Sequence, residues 1–104
     1  MASTSLRREF KFSILVPAAD YYPQAGAEEQ VLLQGVVDCC FETLEGITVV
    51  DFKTDRVDRR SVAARAEEYR PQLAAYSRAL EEITGKPVIR RCLWFFALDQ
   101  AVDV

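Results

Sequence analysis

The sequence predicts an α/β domain in which a mixed β-sheet carries one packed helix, and three observations predict it. Two apolar runs, Gln30 to Glu42 and Ile47 to Lys53, flank a turn centred on Leu44-Glu45 and read as an antiparallel hairpin. From Val62 to Ile83 the positions Val62, Ala66, Tyr69, Leu73, Tyr76, Leu80 and Ile83 recur at alternating spacings of four and three, the stripe of an amphipathic helix. Beyond it, Val88 to Leu98 holds Leu93-Trp94-Phe95-Phe96, too continuously apolar for an exposed edge strand. The connection from the hairpin through the helix to this strand is long enough for a parallel crossover, which would be right-handed.

The elements follow in chain order. Phe10, Phe12, Ile14 and Val16 alternate with polar or smaller residues, giving a half-buried strand that ends at Pro17. Residues 18–28, with Pro23 and Gly26, form a loop whose Tyr21-Tyr22 pair is expected to pack back onto the sheet. The hairpin comes next. Thr54 to Arg60 is polar and charged, and long enough to be mobile beside it. Within the helical stripe, Pro71 removes a backbone donor and clashes with the preceding turn, so a kink or a fresh helix start is expected there. Gly85 stops the helix, Pro87 prevents its continuation, and a short strand near Ala101 to Val104 ends the chain.

A chain of 104 residues with 50% hydrophobic content suits one small domain. Its net charge of −3 argues against capture of nucleic acid by bulk electrostatics, which relies on Lys and Arg neutralising phosphates. Any phosphate site must be local, built on a metal or assisted by a partner. Arg56, Arg59 and Arg60 read equally as a phosphate rim or as a solvated loop. With no histidine, Ser-His-Asp and Cys-His catalysis and a His-based zinc site are excluded. No G-x-x-x-x-G-K pattern provides an ATP site. Three cysteines give neither a disulfide framework nor the four thiolates of an iron–sulfur cluster, and read as reduced. Of the adjacent pair, Cys39 is expected in the core and Cys40 on the side of Asp38. The N-terminal charges precede no apolar core, and no run approaches the roughly 18 apolar residues of a membrane span, so a soluble, cytoplasmic protein is expected.

The chemistry is concentrated on the hairpin. Strand positions whose numbers sum to about 89 pair across the turn, which sets Asp38 opposite Asp51. Directly opposed side chains have Cβ atoms roughly 5 Å apart, so the two carboxylates can hold one divalent cation between them. Without it they repel. Lys53 projects on the same side as Asp51, about 7 Å further along at roughly 3.4 Å per residue, leaving room for a phosphate or a water. The opposite face reads Leu33, Val37, Cys39, Phe41, Val50 and Phe52, a core-facing set. Charges on an edge strand commonly only block aggregation, but the register of Asp38 against Asp51 favours chemistry. On the helix, Gln72 and Tyr76 are four apart and reach the same neighbouring site, although packing alone would also explain Tyr76.

Gly35-x-x-Asp38, Asp51-x-Lys53 and Gln72-x-x-x-Tyr76, in that order and at these separations, resemble the RecB-type branch of the PD-(D/E)XK nuclease superfamily. The segments Val31 to Asp38, Val50 to Val57 and Tyr69 to Tyr76 are similar to the C-terminal nuclease domains of the AddA family of helicase–nucleases, over about residues 8 to 104. The resemblance implies a restriction-endonuclease-like mixed sheet with a helix packed on it, and a magnesium-dependent deoxyribonuclease, with manganese as a substitute ion. It implies that Asp38, Asp51 and the Phe52 carbonyl ligate the ion and that Lys53 activates the attacking water and stabilises the scissile phosphate. Gln72 and Tyr76 would orient the motif and the DNA backbone. DNA is the implied substrate, and an AddB-like subunit of a heterodimeric break-repair complex the implied partner.

The chain departs from the family pattern in two ways. Val37 stands where the superfamily's name has proline, as is common in this branch. The upstream core helix, with the histidine or glutamate that completes the metal shell, is not in these 104 residues, so a partial domain from the C-terminal end of a longer polypeptide is expected, weakly active or inactive by itself. The rival readings are a non-catalytic module that binds DNA ends or a partner on the same fold, and a purely structural interaction domain.

Overall fold

The computed structural model describes residues 5–104; residues 1–4, which open the N-terminal stretch read above for a targeting signal, lie outside the described residues. The elements are β1 (Ser5–Pro17), a short 3-10 turn (Ala18–Asp20), β2 (Gln30–Glu42), β3 (Ile47–Lys53), α1 (Val62–Thr84), β4 (Val88–Phe95) and β5 (Gln100–Asp103). They form one five-stranded sheet in the order β1-β2-β3-β4-β5. All neighbours are antiparallel except β3 and β4, which run parallel and are joined through α1. This is the mixed sheet with one packed helix that the sequence predicts, and no helix among the described residues is long and apolar enough to cross a membrane.

The hairpin register follows the sequence: Cys39 pairs with Val50, Cys40 with Val49, Phe41 with Thr48 and Glu42 with Ile47. Its turn is closed by reciprocal hydrogen bonds between the backbones of Thr43 and Gly46. β1 begins at Ser5, earlier than its alternation suggested, because residues 5–8 continue the ladder along β2. β4 lies between β3 and β5, which explains its apolar run.

Helix α1 is continuous through Pro71, without a second start. Pro71 and Glu67 are both exposed, so the Glu67 carbonyl that loses its donor faces water. Gly85 ends the helix at φ 73°, a left-handed conformation that glycine adopts at little cost.

The core lies between α1 and one face of the sheet, where Phe12, Val37, Ile47, Val49, Leu73, Leu80, Leu93 and Phe95 are buried. This corrects the expected faces. β3 buries Ile47, Val49 and Asp51 under the helix and turns Phe52 outward, 44% exposed. Leu33 and Val37 do meet the core, but Cys39, Phe41 and Val50 are half-buried on the other face. The alternation along β2 breaks at Asp38, since Val37 and Cys40, three apart, are both buried. Cys40 is therefore a core thiol, raised above its ordinary pKa by burial, and not a neighbour of the site. The face without the helix leaves Leu6, Leu15, Leu32, Val36, Phe52 and Phe96 exposed.

Two loop expectations also change. Tyr21 and Tyr22 are exposed and do not return to the sheet; Asp20 pairs with Arg78 of α1 at 2.7 Å, and Tyr21 lies under the same guanidinium. Residues 54–61 are tied down. Val57 is buried, Asp58 accepts the N–H groups of Arg60 and Ser61, and Asp55 binds Arg65 and Tyr69 of the helix. Arg56, Arg59 and Arg60 are exposed on this segment.

Candidate active site

The site forms where β2 and β3 part. Their ladder ends at Cys39 and Val50, which makes Asp38 and Asp51 the next opposed pair, as the register predicts. β1 also skips this position: Arg8 pairs with Cys39 and Phe10 with Val37, while Glu9 stands out at φ 51°. Freed from both ladders, Asp38 turns its Oδ2 to accept the Phe52 N–H at 2.9 Å. Its carboxylate thus fixes the backbone of the strand that carries Asp51 and Lys53.

Asp51 is 3% exposed beneath α1. Its carboxyl is pushed up to about 6, first by burial and then by a hydrogen bond with Asp38 that favours the protonated form; Lys53 pulls the other way. Among the described residues, Asp51 Oδ2 is the one buried side-chain oxygen or nitrogen without a hydrogen-bond partner. The Lys53 Nζ lies 2.6 Å from that oxygen, as an ion pair and not as an aligned hydrogen bond. The lysine therefore differs from its expected placement: its long stem folds back onto Asp51 instead of standing clear of it.

The same ammonium donates to Gln72 Oε1 at 2.8 Å and sits 3.8 Å from the centre of the Tyr69 ring. Tyr69, Gln72 and Tyr76 follow at three and four residues along α1, so one helical face presents all three to the strand ends. Tyr76 is near enough to feel both carboxylates: burial chiefly, then the charges of Asp51 and Asp38, raise its hydroxyl above the ordinary range. Its ring meets Phe12 edge-on at 5.7 Å. Gly35 makes this packing possible, because a Cβ there would stand 3.1 Å from both Tyr76 Cε1 and Phe12 Cζ. The structure thus brings Asp38, Asp51, Lys53, Gln72 and Tyr76, the residues singled out in the sequence, to one place. Phe52 contributes its backbone, and its ring faces away.

Two residues at the site escaped the sequence reading. Tyr69 counted only as a stripe residue and Asp55 as part of a mobile loop. The available signal was that Tyr69 precedes Gln72 by three and Tyr76 by seven, and so shares their face.

A hard divalent cation fits this donor set. Asp38 and Asp51 offer anionic oxygens, and Asp51 Oδ2, which accepts no hydrogen bond and is paired only with the Lys53 ammonium, is a position that a metal ion can take. No cluster of three or more His, Cys, Asp or Glu suited to a metal occurs among the described residues, so the protein's carboxylates here number two and water would fill most of the shell.

Comparison with known proteins agrees with the geometry. The chain is 43% identical to the AddA-type ATP-dependent helicase/nuclease subunit of Desulforudis audaxviator over 86% of its length, and 43% identical to that of Acetivibrio thermocellus over 92%. It is 41% identical to that of Listeria welshimeri over 90%. These matches span only 7%, 8% and 8% of the relatives' own lengths. The family profile of the PD-(D/E)XK nucleases matches residues 2–102, and with its paired carboxylates, lysine and helical Gln-Tyr face at the strand fork, the chain belongs to the PD-(D/E)XK nuclease superfamily.

Proposed function

We propose that this chain supplies the hydrolytic centre of a magnesium-dependent deoxyribonuclease, able to use manganese, within a cytoplasmic helicase–nuclease that processes DNA double-strand breaks with an AddB-like partner subunit. The helicase is named in the relatives and comes to this chain by that likeness, and the partner is inferred from their being named as a subunit. The observation that carries the reading is Asp38 set beside the buried Asp51, whose Oδ2 accepts no hydrogen bond and lies against an ammonium. A structural domain gains nothing from setting one carboxylate beside another that is buried and is thereby pushed toward its protonated form.

Asp38, Asp51 and the Phe52 carbonyl would hold the ion. Once bound there, it supplies Lewis acidity and activates water. The chain's own groups do the rest. Asp38, by binding the Phe52 N–H, fixes the backbone on which the other ligands stand. Lys53 offers positive charge to the phosphate as negative charge develops, and Gln72 keeps that ammonium at the strand ends. Tyr76 orients the DNA backbone beside the carboxylates. Burial of Asp51 beneath α1 keeps water from its carboxyl and strengthens its interactions.

With two carboxylates at the site, these 104 residues bind the ion weakly and cut DNA slowly. Calorimetric titration with Mn²⁺ tests the site: weak binding is expected, and its loss in Asp38→Asn. Absence of binding, or binding untouched by that substitution, removes the metal site. Robust cleavage by the chain that vanishes in Asp51→Ala contradicts the weak activity while keeping the chemistry.

A further inference from the structure

Lys53 is held from three directions: Asp51 Oδ2 at 2.6 Å, Gln72 Oε1 at 2.8 Å and the face of Tyr69 at 3.8 Å. Tyr69 is itself fixed. Its hydroxyl donates to Asp55, 2.9 Å from Oδ2 and 3.1 Å from Oδ1. Arg65 pairs with the same carboxylate and with Glu68 at 3.2 Å. Since Asp55 follows Lys53 by two residues, a closed circuit runs from the lysine backbone through Asp55 and Tyr69 back to the lysine's own ammonium.

We propose that Tyr69 is a positioning residue for Lys53: its ring caps the ammonium, and its anchored hydroxyl keeps the ring from turning away. The proposal rests on the nuclease reading of Lys53 and extends it to two residues outside the three motifs. A lysine side chain is long and loses much rotamer freedom when fixed. If Asp51 Oδ2 is engaged in holding an ion, Gln72 alone fixes one N–H direction. The aromatic face then supplies the second restraint, and it does so without neutralising the charge that the phosphate needs.

If Tyr69 serves only as core, any apolar residue of similar size replaces it. The two cases separate on the NMR resonances of the Lys53 ε-protons, read against Lys11 and Lys86, the chain's other lysines. A proton over an aromatic face is shifted upfield. The wild-type Lys53 signal is expected upfield of the other two, and in Tyr69→Leu it should rejoin them. Tyr69→Phe keeps the face and gives up the anchor, so it should retain a reduced displacement. Asp55→Ala, which cuts the other half of the anchor, should match it. Cleavage of a single-stranded oligonucleotide with Mn²⁺ and excess protein should fall about tenfold in Tyr69→Leu and less in Tyr69→Phe, a factor between those expected for losing an exposed and a fully desolvated cation–π contact.

A Lys53 signal unchanged in a folded Tyr69→Leu chain overturns the proposal. Should that variant not fold, a signal unchanged in Asp55→Ala does the same. A wild-type chain that neither binds Mn²⁺ nor cuts sinks the nuclease reading instead, and the resonance still decides where Lys53 is held.

Discussion

On the proposed chemistry, Lys53 and a divalent ion compete for the same oxygen. The ammonium lies 2.6 Å from Asp51 Oδ2, the buried atom that lacks a hydrogen bond, and on the proposed chemistry that atom is a metal ligand. Lys53→Met keeps the length of the side chain and removes the charge. Without the ammonium, Asp51 has no cation beside it, so Mn²⁺ should bind at least as tightly as to the wild type. Cleavage should nevertheless fall by about 100-fold or more, as when a preorganised donor to a developing charge is removed. Titration calorimetry and a cleavage time course on the same preparations check the two halves. Weaker Mn²⁺ binding in Lys53→Met would mean that the lysine organises the metal site instead of opposing the ion.

At the scale of elements, the site depends on how closely α1 approaches β2. Gly35 leaves the space that the Tyr76 ring and Phe12 fill, with 3.1 Å between each and an added Cβ. Gly35→Ala should therefore push the helix or the ring outward, at a cost of about 1–3 kcal/mol in urea denaturation, typical of overpacking. Pro71→Ala should act in the opposite sense. It restores the helix's internal hydrogen bond to the Glu67 carbonyl and relieves the ring clash, so stability should rise by about 1–3 kcal/mol while Gln72 stays on Lys53. These same elements show what was legible in the sequence. The hairpin register and the Asp38–Asp51 pairing were, because alternation and a four-residue turn leave one solution for the strands. Which face the helix covers was not: a period of two divides a strand into two faces without saying which is packed, and Phe52 was placed on the wrong one. The break in β2 at Asp38, which exchanged the environments of Cys39 and Cys40, depends on where β2 and β3 part, a tertiary event. Tyr69 was hidden for a different reason: an aromatic on an apolar stripe satisfies the core pattern whether or not its face meets a cation.

The whole molecule measures 44 × 34 × 20 Å, a plate one sheet and one helix thick. A core this thin makes an ionisable group beneath the helix a noticeable fraction of the roughly 5–15 kcal/mol by which domains are typically stable. Asp51 titrates at about 6 in the folded chain, against 3.8 ordinarily. Between those values the folded protein holds a proton that the unfolded chain has released. Its contribution to stability is therefore complete below about pH 4 and is lost as the pH rises through about 6. Asp55, Asp58 and Glu67 act in the opposite direction. Burial raises Asp55, but hydrogen bonds from Tyr69 and Arg65 outweigh it; the Ser61 N–H lowers Asp58, and Arg70 lowers Glu67. The total pH curve thus mixes both signs, and the difference between wild type and Asp51→Asn isolates one group. In the absence of metal, the variant should gain on the wild type between about pH 4 and pH 7 by on the order of 2–3 kcal/mol, the free-energy equivalent of the shift. Saturating Mn²⁺ should narrow or reverse that difference, because the ion stabilises only the folded chain that binds it. Denaturant titrations at the two pH values, with and without Mn²⁺, measure all four states. A metal-free gap that does not change with pH would mean that Asp51 is already neutralised by Lys53 when folded, and the oxygen would then have no need of an ion.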